Sequence, residues 1–190
     1  MRLSGKLLLI ITAVCSAITA CSSEGFAVSS SSLRCETICE VDENGGAYTV
    51  SSYLHFRAAL TPDDSYSFEL SDPSGLVWSG PLVKNGDGFY SSDELALSDG
   101  AAFAQGSYSY TVTSSRGEME EGRAVFHQED VIPPYVISEG ILVSDGECTI
   151  VTASGEVTAS GGDAVTLTGE VRIREKDAWG NEVTAIQNLT

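Results

Sequence analysis

The sequence predicts an all-β protein, an antiparallel β-sandwich carrying a small C-terminal β subdomain. Three observations lead there. After Leu33, apolar and polar residues alternate with a period of two, the mark of strands with one buried face. Turn-forming clusters of Gly, Pro, Asn and Asp separate these runs at intervals of about ten residues, the spacing of an antiparallel sandwich. The apolar i, i+3, i+4 spacing of an amphipathic helix is missing from the same region.

Residues 1–20 read as an export signal, with Arg2 and Lys6 ahead of an apolar stretch from Leu7 to Val14 and small residues at its end. A spanning helix needs roughly 18 to 20 apolar residues. The run here is far shorter and dissolves into Thr12, Ser16 and Thr19, which favours removal. Ile18-Thr19-Ala20-Cys21 resembles the lipobox of the type II signal peptides of bacterial lipoproteins. That resemblance implies diacylglycerol on the Cys21 sulfur, cleavage before Cys21 and acylation of the new N-terminus, hence an extracytoplasmic protein held on a bacterial membrane by its lipid. Ser22 follows the acceptor instead of Asp, which resembles the pattern sorted to the outer membrane. Residues 21–33, rich in Ser and poor in bulky groups, are expected to be a flexible tether spanning roughly 20 Å. Phe26 and Val28 alternate, and a first strand there is the alternative.

Residues 34–130 form the expected sandwich, with strands near 34–41, 47–60, 65–71, 76–83, 88–97, 107–115 and 118–127. In the second of these Tyr48, Val50, Leu54, Phe56 and Ala58 share the inward face. Asn44-Gly45-Gly46, Asp72-Pro73-Ser74-Gly75, Asn85-Gly86-Asp87-Gly88 and Arg116-Gly117 are the turns between strands. Gly106-Ser107-Tyr108-Ser109-Tyr110-Thr111-Val112 resembles the penultimate strand of immunoglobulin-like and fibronectin-type modules, with Tyr108 as the corner tyrosine. The resemblance implies an immunoglobulin-like antiparallel β-sandwich in which Trp78 supplies a large core aromatic. It identifies a scaffold and no activity.

Val131-Ile132-Pro133-Pro134-Tyr135 is the expected boundary, since two prolines remove two amide donors and stiffen the chain. Residues 136–190 are again β-patterned, with Ile141 and Val143, Cys148 and Ile150, then Val165, Leu167, Val171 and Ile173 on one side. So short a segment is marginal alone. It is expected to pack on the first module as a small β subdomain or, alternatively, a truncated second sandwich. Asp177-Ala178-Trp179-Gly180-Asn181 resembles the Asp-x-x-Gly-Asn turn of bacterial immunoglobulin-like repeats.

The chain carries 10 Lys+Arg against 27 Asp+Glu, and losing Arg2 and Lys6 with the signal leaves 8 against 27, a net of −19. So acidic a body speaks against nucleic-acid binding and against electrostatic docking on anionic lipid. With Cys15 in the signal and Cys21 acylated, Cys35, Cys39 and Cys148 remain as disulfide candidates in an oxidising compartment. On one strand Cys35 and Cys39 would lie about 13 Å apart at 3.3 Å per residue, beyond the roughly 7 Å limit for a bridge. Pairing them needs a helical turn or tight loop over residues 34–40; a bridge from either to Cys148, or none at all, stays open.

Catalytic chemistry finds little support. Only His55 and His127 could act as imidazole bases, and Gly-x-Ser-x-Gly, His-Glu-x-x-His and Gly-x-x-x-x-Gly-Lys are absent. Asp63-Asp64, Glu120-Glu121 and Glu129-Asp130 are carboxylate pairs that a chain this acidic contains by chance. No metal or cofactor is assigned. Cys-x-x-x-Cys with His55 or His127 is a poor zinc pattern, and Asp42-Glu43-Asn44, Asn85 with Asp87 and Asp177 with Asn181 are calcium-like strings that more often make turns. The expectation is a lipid-anchored envelope protein serving as a binding or structural module for an unidentified protein partner, with exposed aromatics among Tyr53, Phe89, Tyr90 and Trp179. A non-catalytic subunit of an envelope complex and a calcium-binding adhesin are the alternatives.

Overall fold

The computed structural model describes residues 25–97, 101–137 and 139–190. The export signal and Cys21 therefore lie outside the described residues. The fold is all-β. The described residues open with a long hairpin, β1 (Ala27–Val41) and β2 (Ala47–Thr61), both 15 residues. Next come β3 (Tyr66–Ser71), β4 (Val77–Lys84), the two-residue β5 (Tyr90–Ser91) and β6 (Leu95–Ala96), then β7 (Gly106–Ser114) and β8 (Met119–Phe126). The remaining strands are β9 (Tyr135–Val136), β10 (Leu142–Val143), β11 (Glu147–Thr152), β12 (Gly155–Ser160), β13 (Gly169–Lys176) and β14 (Glu182–Leu189).

Strands β1 to β8 make a two-layer sandwich. One layer is β1 and β2 with β5 and β6 on the free edge of β2; the other runs β4-β3-β7-β8. Strand β4 pairs along its length with β3 and at Val83 and Lys84 with β5, so it turns the corner between layers. The layers meet through aromatic rings: Phe56 of β2 lies 5.7 Å from Phe68 of β3 and 5.0 Å from Tyr110 of β7. Tyr108, fully buried at the start of β7, donates from its hydroxyl to the carbonyl oxygen of Ala104 at 2.8 Å. This is the corner-tyrosine bond expected of that residue. Trp78 is half-buried, packed near Phe103 and Tyr108.

The second unit is the sheet β12-β11-β13-β14-β1, covered on its inner face by the β9–β10 hairpin and by Val165 and Leu167. Its pairs are antiparallel with one exception. Glu36–Val41 of β1 runs parallel to Glu182–Gln187 of β14, so the sheet is mixed. Strand β1 therefore serves both units. Leu33 and Cys35 enter the first core, Cys39 and Val41 the second, and Thr37 is buried between them. The Thr37 hydroxyl sits within hydrogen-bond distance of the Ser52 hydroxyl and accepts from Gln128 Nε2, a polar layer where the two cores meet. Residues 131–135 therefore do not divide two independent cores, because Val131 and Tyr135 pack on the second core and that core is completed by β1.

Several expectations change. The tether is shorter than residues 21–33, because β1 begins at Ala27 and Ser30–Ser32 pair with Ala59–Arg57 of β2. Small polar side chains leave a strand's main-chain ladder intact, and Phe26 and Val28 pack on the first core. Tyr48 and Val50 are not on the inward face: they are 61% and 41% exposed. The cause is a bulge. Ile38 faces Ser51 while Cys39 faces Thr49, leaving Val50 extra, so every residue of β2 before it changes side. The expected strand at 88–97 is two short bridges instead.

One turn recurs between strands. At Asp42, Asp72 and Asp177 the residue's amide bonds the carbonyl four positions on, and its carbonyl accepts from the glycine three positions on. In all three, carboxylate Oδ1 also accepts the amides two and four positions on, at 2.8–2.9 Å. The glycine must adopt positive φ, as Gly45 (80°) and Gly180 (81°) do.

Candidate binding cleft at the junction of the two units

The turn at Asp177 does more than reverse the chain. Asn181 follows it, 1% exposed, with every polar side-chain atom in use. Its Oδ1 accepts the amide of Cys35 at 2.9 Å, and its Nδ2 donates to the carbonyl of His127 at 2.9 Å and to Asp177 Oδ2 at 2.7 Å. One amide side chain thereby joins β1, the end of the sandwich and the β13–β14 turn. Arg34 Nη1 adds a bond to the carbonyl of Gly180 at 3.4 Å. Gln187, equally buried, plays a matching part in the second core: Oε1 accepts the Val136 amide at 2.8 Å and Nε2 donates to the Val136 carbonyl at 2.6 Å.

This bonding holds Trp179 at the tip of the turn. Its ring meets His127 edge-on with centroids 4.9 Å apart, yet the residue stays 57% exposed. Beside it the connection Gln128–Ile132, the turn at Asp145 and Gly146, and the β13–β14 turn enclose a cleft of about 320 Å³. Val131, Ala178 and Val183 contribute apolar surface, Ile132 is 71% exposed, and Glu129, Asp130, Asp145, Glu175 and Asp177 face a single cation, Lys176. Apolar side chains and carboxylates together line the cleft, with the exposed indole on the neighbouring turn, a surface able to take an apolar or cationic side chain.

The other anticipated aromatics are committed elsewhere. Tyr90 is buried and its hydroxyl donates to Asp63; Phe89 lies under the Arg57 guanidinium at 4.9 Å; Tyr53 is half-buried opposite Ala96. Ile132 was missed, although an apolar pair just ahead of two prolines was visible in the sequence.

The cysteine candidates do not come together. Cys35 and Cys39 both lie on β1 and Cys148 on β11; all three are buried free thiols. The local loop that would close Cys35 on Cys39 is replaced by extended strand, because this segment is paired on both sides by β2 and β14. In the second sheet Cys39 lies in register with Ala185 while Cys148 faces Glu175, with β14 and β13 between them. Burial pushes the Cys35 thiol up to about 11, against the Thr37 bond that favours its thiolate, and burial likewise raises Cys39 and Cys148. They are neutral at ordinary pH and poor nucleophiles.

Among the described residues no group of three or more His, Cys, Asp and Glu could hold a metal ion. Asp42 and Asp177 turn their carboxylates on backbone amides, and Asp87 pairs with Arg57 at 2.5 Å. Asp63 and Asp64 are held below the usual carboxylate range, Asp63 by Lys84 and Tyr90, Asp64 by Ser115 and the Ser65 amide. Both are ionised at neutral pH and hold no proton to donate.

No family model and no curated relative matches this chain. Among solved structures, a 1.5-MDa bacterial ice-binding adhesin is 13% identical with a TM-score of 0.29, over 83% of this chain and 65% of that one. A tetra-tandem repeat from the extending region of a large adhesion protein is 16% identical with a TM-score of 0.25, over 83% of this chain and 48% of that one. The chain spans less than two thirds of the length of either.

Two outcomes are expected here. Asn181→Ala strands the buried Cys35 amide and should cost about 1–3 kcal/mol, read as a lower urea midpoint; an unchanged midpoint would remove Asn181 from its joining role. Asp72 is desolvated, which raises its carboxyl, but bonds from Ser74, Leu76 and Gly75 outweigh this and hold it low, as at Asp63 and Asp64. A depressed folded value gives stability present above the unfolded value of about 3.9 and lost as pH falls through the folded one. Unfolding by urea between pH 7 and pH 2 should therefore show stability falling below about pH 4, with a shallower fall in Asp72→Asn.

Proposed function

We propose that this chain is a lipid-anchored, extracytoplasmic, non-catalytic module of a bacterial cell envelope, held through Cys21 and presenting the junction cleft to a protein partner. The observation that carries the reading is Ile18-Thr19-Ala20-Cys21, followed within six residues by the first strand of an all-β body. Two acyl chains suffice for stable anchorage where one is marginal. The short connection from Cys21 to Ala27 keeps the body within roughly 20 Å of the bilayer surface at 3.3–3.6 Å per residue. The acidic body supports a site for a partner and opposes binding of nucleic acid or adhesion to the membrane itself. A bacterial outer membrane is the proposed location, on Ser22 after the acceptor.

A second reading, a non-catalytic subunit of an envelope complex, is favoured by β12. It pairs with β11 alone, and among the described residues its other edge is open, with Val157 54% exposed. An unpaired edge is a template for a strand from a partner.

The anchoring is tested by expressing Cys21→Ser beside the parent in a bacterium fed labelled palmitate. The parent should fractionate with membranes and carry label. The variant should lose the label and leave the membrane; a labelled, membrane-bound Cys21→Ser protein would overturn the reading.

A further inference from the structure

The parallel pairing of β1 with β14 has a directional property that the antiparallel pairs lack. Glu36 faces Glu182 and, in step, Val41 faces Gln187, so both strands run the same way. A pull on the chain ahead of β1 acts backward along that strand, and a pull on the chain beyond β14 acts forward along that one. The two forces oppose each other along parallel strands and slide one past the other, loading all six residue pairs together. We infer that the β1–β14 seam is a force-bearing joint, which resists a pull between the start of β1 and the end of β14 by shear.

Three further features fit that load path. Tension crosses sideways from β1 to β14, so residues 42–181, including the whole β3–β8 part of the sandwich, are bypassed. Immediately before the seam, Asn181 Oδ1 holds the Cys35 amide and Gly180 accepts from Arg34, which extends the same joint by two side-chain bonds. Moving β1 along its axis also requires it to slip past β2, with which it is paired from Ala27 to Val41, and to withdraw Leu33 and Cys35 from one core and Cys39 and Val41 from the other. Neither core survives that loss. The joint therefore guards both units, and its failure releases them together.

The identity of the N-terminal end as a loading point rests on the proposed anchorage at Cys21; the mechanical property of the seam does not. The test is single-molecule pulling of the full chain in two geometries. In the first, handles are attached at the N-terminus and after Thr190. In the second, made in a chain that also carries Cys15→Ser and Cys21→Ser, the N-terminal handle is moved to Asn44→Cys in the exposed β1–β2 turn, whose thiol is accessible while Cys35, Cys39 and Cys148 are buried. Asn44 and the end of β14 lie at the same end of the seam, past the Val41–Gln187 pair, so this geometry opens the same bonds one at a time. Because forced rupture follows the unfolding barrier, the end-to-end geometry should need about three-fold or more the force of the turn geometry. It should also release roughly 500 Å of chain in one event, at 3.3–3.6 Å per residue. Equal forces in the two geometries, or end-to-end rupture in two separate steps, would overturn the inference. Failure of palmitate labelling at Cys21 would leave the force ratio untouched, and equal forces would leave the labelling untouched, so the two proposals fail separately.

Discussion

Everything in this fold depends on β1 being long enough to belong to two cores. Its inward residues Leu33, Cys35, Thr37, Cys39 and Val41 keep strict alternation over nine positions, all nearly inaccessible to solvent. Burying an aliphatic side chain of this size contributes about 1.5–3 kcal/mol, and here the contributions fall on both sides of a polar layer. The second unit has few residues of its own with which to close a core. With β1 as its outer strand and β9–β10 as its cover, it acquires a wall and a lid, and its stability becomes inseparable from that of the sandwich.

Where main-chain ladders stop, buried amide side chains take over. Gln187 offers an acceptor and a donor to Val136, satisfying a two-residue strand that otherwise pairs with β10 alone. Asn181 does the same for the Cys35 amide and the His127 carbonyl at the seam between units. Each such group would be costly if left unpaired in the interior, so both amides hold packing geometry as well as bonds. The exposed placement of Trp179 is a product of the second network, which connects the fold to the candidate site.

Much of this was legible in the residues. The alternation on β2 gives the right inward face for Leu54, Phe56 and Ala58, and Tyr108 is identifiable from the glycine and tyrosine that open its strand. The Asp-x-x-Gly turns were visible because the chemistry is local: one carboxylate, two amides and one glycine within five residues. The bulge at Val50 was not visible, since an extra residue leaves the alternation looking continuous while reversing the face of Tyr48. The parallel seam was hidden for another reason: the segments it joins lie 146 positions apart, as Glu36 and Glu182 do, and a strand's side-chain pattern does not state its partner or direction. The cysteines are hidden in the same way: a Cys35–Cys39 bridge would need a loop over residues 34–40, whereas pairing on both sides of β1 makes extended strand the conformation that satisfies its backbone.

The proposed function builds on this architecture: a body whose two cores share one strand, and a cleft held by the network at their joint. The claim most exposed to test is that β1 makes the two cores one cooperative unit. Native-state hydrogen exchange in increasing denaturant measures this directly. The most protected amides of β7, in the first core, and of β13, in the second, should open with the same free energy and the same denaturant dependence, converging on global unfolding. Amides of β13 that exchange through a separate opening of lower energy, with β7 still protected, would contradict it.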